Sequence, residues 1–286
     1  MDDVRLILPD PVLTRRGVVM TSLATGFALA TQPVQAQTMI TTSAEGLVAG
    51  EVTIAIGGDR IPAYRAMPSG AGPFPVVMVV QEIFGVHEYI KDTCRRLARA
   101  GYCAVATELF ARQGDVSKLT DFAAIRPIVA SVPDAQVMSD LDATAAWARA
   151  ESRGRADWLG ITGFCWGGRV VWLYGAHNQQ LTAGVAWYGR VVGDPTPNQP
   201  TNPVDVATRI RAPILGLYGA ADTGIPVASV EQMRAALGTG TRSEIHIYPD
   251  MPHAFHADYR PSFRREAAED GWRRLLGWFR GNGGVA

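Results

Sequence analysis

Trp158-Leu159-Gly160-Ile161-Thr162-Gly163-Phe164-Cys165-Trp166-Gly167-Gly168-Arg169 is the stretch that decides the fold. Trp158 to Thr162 reads as a strand, Arg169 to Ala176 reads as a helix, and glycines stand two residues to either side of Cys165. Strand, sharp turn and helix in that order form the nucleophile elbow, G-x-S-x-G, here with a thiol at its centre. Small residues are needed at 163 and 167 because neighbouring backbone comes close. The turn also sets Cys165 at a helix N-terminus, where unpaired N–H groups favour a thiolate. The competing reading is a buried thiol in a glycine-rich turn, so the surroundings have to decide.

Outward from the elbow, strands and helices alternate. Val76 to Val80 is a continuous β-branched run, as in a strand buried on both faces. Tyr89 to Ala100 has helical spacing and stops at Gly101, and Tyr102 to Thr107 is the next strand. Ser139 to Ala150 is a helix, Leu181 to Tyr188 and Pro213 to Tyr218 are strands, and Val230 to Leu237 is a helix. Glu244 to Tyr248 is a strand, and Arg264 to Phe279 is an amphipathic helix. This alternation predicts an α/β fold: a mostly parallel central sheet with helices on both faces, in one domain over residues 46–283. In such sheets the site lies beyond the carboxyl ends of the strands. Four chemically pointed residues follow strands: Glu82, Cys165, Asp222 and His253. Gln113 to Pro133, with a weak helix over Leu119 to Val129, and the irregular Gly193 to Val206 leave the sheet on that side and form its rim.

The first 36 residues stand apart. Arg15-Arg16, an apolar stretch through Ala30 and Pro33-Val34-Gln35-Ala36 read as a twin-arginine-type signal peptide, cleaved after Ala36 by the export machinery. That predicts a periplasmic or secreted protein with no stable membrane anchor after cleavage; a cytoplasmic protein is the alternative. Lys plus Arg and Asp plus Glu are 27 each, so no basic field invites nucleic acid. Three cysteines are an odd number, so Cys94 and Cys103 either pair or stay as buried free thiols.

A base and its orienter should follow the nucleophile in the order acid, then histidine. Asp222 follows the Pro213 to Tyr218 strand and His253 follows the Glu244 to Tyr248 strand. Alone, Asp222 is a turn residue and His253 a surface histidine; together with Cys165, in that order, they read as a triad. His256 next to His253 has no third ligand nearby, so neither a metal nor a cofactor is expected. His87 begins a helix and is a capping candidate.

Gln81-Glu82-Ile83-Phe84-Gly85, Gly163-Phe164-Cys165-Trp166-Gly167-Gly168, Tyr188-Gly189-Arg190, Asp222 and His253-Ala254-Phe255 together resemble the dienelactone hydrolase family, the carboxymethylenebutenolidases. The resemblance implies an α/β-hydrolase fold with Cys165 as nucleophile, His253 as base and Asp222 as orienter. It makes Glu82 the carboxylate that contacts the resting thiol and takes part in forming the thiolate. The oxyanion would be held by the backbone N–H of Trp166, which the elbow itself supplies, and of Ile83, which the resemblance adds. Phe84, Arg112 and Tyr188 are candidate substrate contacts, with Lys118 and Arg126 as further cations in the variable segment. One departure stands out: where the family carries an arginine a few residues past the histidine, this chain has Ala257. That removes the family's handle on dienelactone itself and leaves the reaction class.

A thiol fits some acyl bonds better than others. A thiolate leaves more easily than an alkoxide, so its adduct with a simple alkyl ester reverts, whereas an enol ester or enol lactone expels a stabilised enolate. The expected substrate is a small activated ester or lactone, cleaved through an acyl-enzyme intermediate. A thioesterase or other thiol-dependent acyl hydrolase, and a non-catalytic binding protein on the same scaffold, are the alternatives.

Overall fold

A computed structural model describes residues 38–285. The signal-peptide reading falls on residues outside that range. Among the described residues, eight strands form one sheet in the order β1-β2-β4-β3-β5-β6-β7-β8. They are β1 (Leu47–Ile56), β2 (Asp59–Pro68), β3 (Phe74–Val80), β4 (Cys103–Thr107), β5 (Gly154–Phe164), β6 (Ala183–Trp187), β7 (Ile214–Gly219) and β8 (Glu244–Tyr248). Seven α-helices accompany them: α1 (Glu88–Arg99), α2 (Phe122–Ala130), α3 (Asp134–Glu151), α4 (Trp166–His177), α5 (Pro203–Val206), α6 (Val227–Leu237) and α7 (Arg265–Gly281).

From β4 to β8 the pairing is parallel throughout. Every residue of β4, β6 and β7 is buried, which is why these strands read as unbroken apolar runs. Gly184 and Trp187 show how both faces are covered. A Cβ on Gly184 would lie 3.1 Å from Val171 of α4, and a Cβ on Gly271 of α7 would lie 2.6 Å from the Trp187 ring. Positions three apart on a strand point to opposite faces, so α4 and α7 flank the sheet on opposite sides.

The first strand named from the sequence is Val76 to Val80, and the structure has two before it. β1 and β2 pair antiparallel, and β2 joins the sheet antiparallel to β4. Their turn is Gly57-Gly58, with φ of 60° and 97°, the left-handed pair that matches the twist of a tight hairpin. β1 is only partly buried: Ile54 and Ile56 are in the core, Leu47, Val48, Ala49 and Val52 pack against it, and Glu51, Thr53 and Ala55 are exposed. This half-buried edge therefore lacks the continuous apolar signal of the inner strands. Helix starts also move earlier: α3 begins at Asp134, ahead of the expected Ser139, α4 at Trp166 and α6 at Val227, and an unexpected short helix, α5, ends the rim loop.

Candidate active site

Cys165 joins β5 to α4 with φ 55° and ψ −114°, a left-handed backbone that costs a non-glycine residue roughly 1–3 kcal/mol. The flanking glycines make the turn possible. A Cβ on Gly163 would lie 2.4 Å from the carbonyl oxygen of Gly167, and a Cβ on Gly167 would lie 2.5 Å from that of Val80. The elbow is thus wedged against the end of β3. Cys165 N–H donates to the Trp187 carbonyl at 3.0 Å, and Gly168 N–H donates to the Cys165 carbonyl at 3.0 Å. The Trp166 N–H, at the first position of α4, has no carbonyl within the helix to bind.

Asp222 and His253 come from the loops after β7 and β8. Those loops interlock: Ala221 N–H donates to the Met251 carbonyl at 3.0 Å, and a Cβ on Gly219 would lie 2.1 Å from that same oxygen. Asp222 Oδ2 accepts from His253 Nδ1 at 2.6 Å, while Oδ1 accepts from the N–H of Gly224 and Ile225 at 2.9 and 3.1 Å. With Nδ1 donating to Asp222, Nε2 is the ring nitrogen left over, and Cys165 lies within electrostatic reach of the imidazole. Burial opposes a charge on His253, but Asp222 and Cys165 outweigh it and hold the pKa well above the usual imidazole range. Tyr188, itself at φ 38°, lies edge-on to the His253 ring at 5.2 Å. An inert core thiol needs no left-handed backbone, and Cys165 has one.

Glu82 is buried just past β3 and accepts from Tyr259 Oη at 2.6 Å, with His87 Nε2 facing the same oxygen at 3.4 Å. Burial would raise the carboxyl pKa; His87, Tyr259 and Arg260 outweigh it and hold it below its ordinary 4.5. His87 does occupy the N-cap position of α1, but its side chain makes no capping bond and turns to Glu82 instead.

Several sequence expectations change in detail. Ala257 is buried, yet Arg260, three residues on, brings a guanidinium over the Phe84 and Tyr259 rings at 4.4 and 4.5 Å, within electrostatic reach of Glu82. Phe84 is therefore the platform for a cation. Arg112 is committed to Asp59 at 2.6 Å and Asp140 at 2.7 Å, which gives this candidate substrate contact a structural task. Lys118 pairs with Asp115 at 2.9 Å, and Arg126 is exposed on α2. His256 donates to or accepts from Tyr89 Oη at 2.6 Å within a cage of Phe164 and Trp187. Cys94 and Cys103 are free and buried, and burial pushes the Cys103 thiol up to about 12. Among the described residues, no three His, Cys, Asp or Glu side chains gather to hold a metal, and no helix is long and apolar enough to cross a membrane. Tyr259 and Arg260 escape a search that stops at Ala257; Asp258-Tyr259-Arg260, a polar run in which all three residues are buried, is the signal that marks them.

A model of the dienelactone hydrolase family matches residues 61–282. The chain is 60% identical over 280 residues to a "putative carboxymethylenebutenolidase" of Methylorubrum extorquens, covering 97% of this chain and 96% of that protein. A protein of the same description from Escherichia coli K12 is 53% identical over 267 residues, 92% of this chain and 98% of that one. A crystal structure of a "putative dienelactone hydrolase" from Klebsiella pneumoniae is similar with a TM-score of 0.80 and 54% identity, covering 82% of this chain and 98% of that chain.

Proposed function

The chain belongs to the dienelactone hydrolase family, a family of hydrolases, and from that premise we propose that it cleaves activated esters or enol lactones through a Cys165–His253–Asp222 triad. The observation that carries the reading is the Asp222–His253 pair within electrostatic reach of Cys165, with the thiol on a left-handed elbow.

Each residue has one task in this scheme. Cys165 Sγ attacks the acyl carbonyl as a thiolate, its proton going to His253 Nε2. Asp222 keeps Nδ1 protonated and steadies the imidazolium. The Trp166 N–H, with that of Ile83, holds the oxygen of the tetrahedral adduct, each donor being worth roughly 2.7–4 kcal/mol in the transition state. The adduct collapses by expelling the enolate or aryloxide, leaving a thioester on Cys165. His253 then draws a proton from water, which attacks the thioester and restores the thiol.

Glu82 assists in forming the thiolate. Its carboxylate is kept anionic by Tyr259 and His87, while the thiol proton itself passes to His253 Nε2. The mature chain works outside the cytoplasm, delivered folded by its twin-arginine-type leader.

Hydrolysis of an enol lactone and of 4-nitrophenyl acetate by the chain from Gln37 onward, beside Cys165→Ala, tests the scheme. Turnover that disappears in the variant supports it. Equal inactivity of both proteins, with the thiol shown to be reduced, counts against it and moves a binding role forward.

A further inference from the structure

A cavity of about 370 Å³ lies between α1 and α7, within the size range of small-molecule sites. It is lined by none of the residues assigned to the thiol site. Arg96 of α1 and Ala268, Glu269, Trp272 and Arg273 of α7 border it, together with Ile40 and Thr42 from the segment ahead of β1. That segment is tied in place. Thr42 N–H donates to Asp92 Oδ1 at 2.5 Å, Arg95 Nε donates to the Thr42 carbonyl at 2.9 Å, and Thr38 Oγ1 donates to the Asp258 carbonyl. The wall it forms is therefore part of the fold.

His256 lines this cavity and is 2% exposed. Its Nδ1 is taken by Tyr89 Oη at 2.6 Å, and its Nε2 makes no hydrogen bond among the described residues. Burial and Arg96 both push its pKa down, so the ring is neutral and Nε2 is an acceptor or, in the other tautomer, a donor. A ligand hydroxyl, which both gives and accepts, satisfies that nitrogen in either form. The surroundings are aromatic. Trp272 stacks on His256 with ring centroids 6.0 Å apart and 27° between the planes, and Phe263 lines the same space. Phe164, the residue before Cys165, also stacks on His256, at 5.4 Å, and Trp187 lies at 4.4 Å. The charged side chains around the cavity already have partners: Arg96 pairs with Asp92 at 2.5 Å and with Asp258, Arg273 with Asp270 at 3.2 Å, and Glu269 with Arg265 at 3.7 Å. An anion would have to compete for one of these pairs, whereas a neutral aromatic ring leaves them all intact.

We propose that this cavity is a second ligand site, separate from the thiol, for a flat neutral aromatic molecule with one hydroxyl group, its ring against Trp272 and Phe263 and its hydroxyl on His256 Nε2. The assignment does not depend on the thiol-hydrolase reading above.

The probe is 2-naphthol, with 2-naphthoate as its charged counterpart. In the full chain carrying isotope-labelled tryptophan, 2-naphthol is expected to shift the indole N–H resonance of Trp272 and to leave that of Trp166, next to Cys165, in place. By calorimetry, 2-naphthoate should bind at least about 10-fold more weakly than 2-naphthol. Trp272→Ala should weaken 2-naphthol about 10-fold or more. His256→Phe, which keeps a flat ring and removes the nitrogen, should weaken it about 2- to 10-fold. A Trp272 resonance that stays put up to the solubility limit of 2-naphthol overturns the proposal, and the wild-type spectrum decides this even where a variant fails to fold. A shift at Trp166 without one at Trp272 places the probe at the thiol and overturns it too. So does affinity unchanged in both variants, or tighter binding of 2-naphthoate than of 2-naphthol.

Discussion

His253 Nδ1 donates to Asp222 Oδ2 at 2.6 Å, and the other oxygen of that carboxylate is held by the N–H groups of Gly224 and Ile225. The carboxylate cannot turn without losing three hydrogen bonds, so the ring nitrogen facing Cys165 is fixed in place. Asp222→Asn keeps the shape of the group and removes the charge that steadies the imidazolium. The expected result is a kcat on 4-nitrophenyl acetate lower by about 10²- to 10⁴-fold with KM little changed. A loss confined to KM would mean that Asp222 shapes the pocket and does not serve the histidine.

Tyr259 donates to Glu82 at 2.6 Å and helps to hold the carboxyl pKa below 4.5. A carboxyl group whose pKa is depressed on folding adds stability above its unfolded pKa and loses that contribution as the pH falls through the folded value. Tyr259→Phe removes a donor, so the folded pKa rises. The acidic limb of the kcat/KM profile should move to higher pH, and acid unfolding should begin at higher pH. At neutral pH the hydrogen bond to this buried charged group is worth roughly 1.5–3 kcal/mol, to be read from urea unfolding. An acidic limb that stays in place would separate Glu82 from the reacting thiol.

Gly163 has no room for a methyl group, because the Gly167 carbonyl oxygen would lie 2.4 Å from it. That carbonyl is backbone and cannot swing aside, and Val80 Cβ lies 3.0 Å away on the β3 side. Gly163→Ala should cost about 1–3 kcal/mol in chemical unfolding and lower esterase activity by displacing the elbow from β3. A protein of unchanged stability would show that the elbow tolerates a wider turn.

What the sequence makes legible follows from local physics. The elbow can be read because close backbone approach admits only glycine at 163 and 167, and the inner strands because burial on both faces demands unbroken apolar runs. Asp222 can be found because it follows such a strand, and His253 because it follows β8, a short strand that is only partly buried. The hairpin of β1 and β2 is harder to see, since β1 is only partly buried and Glu51, Thr53 and Ala55 are exposed. The surroundings of Glu82 cannot be read locally at all: Tyr259 lies 177 residues away along the chain, and only the loop after β8, turning back across the sheet, brings the two together. Arg112 is a candidate substrate contact in the sequence, and its ion pairs with Asp59 and Asp140, far apart along the chain, cannot be read locally either.

The central claim is that Cys165 carries the acyl group. Acid-quenching the chain during turnover of 4-nitrophenyl acetate, followed by intact and peptide mass analysis, tests this directly. The account predicts one added acetyl group on the peptide bearing Cys165, present during turnover, gone after substrate is exhausted, and absent from Cys165→Ala along with the activity. Turnover that persists in Cys165→Ala, or an acetyl group found on another residue and required for activity, would contradict it.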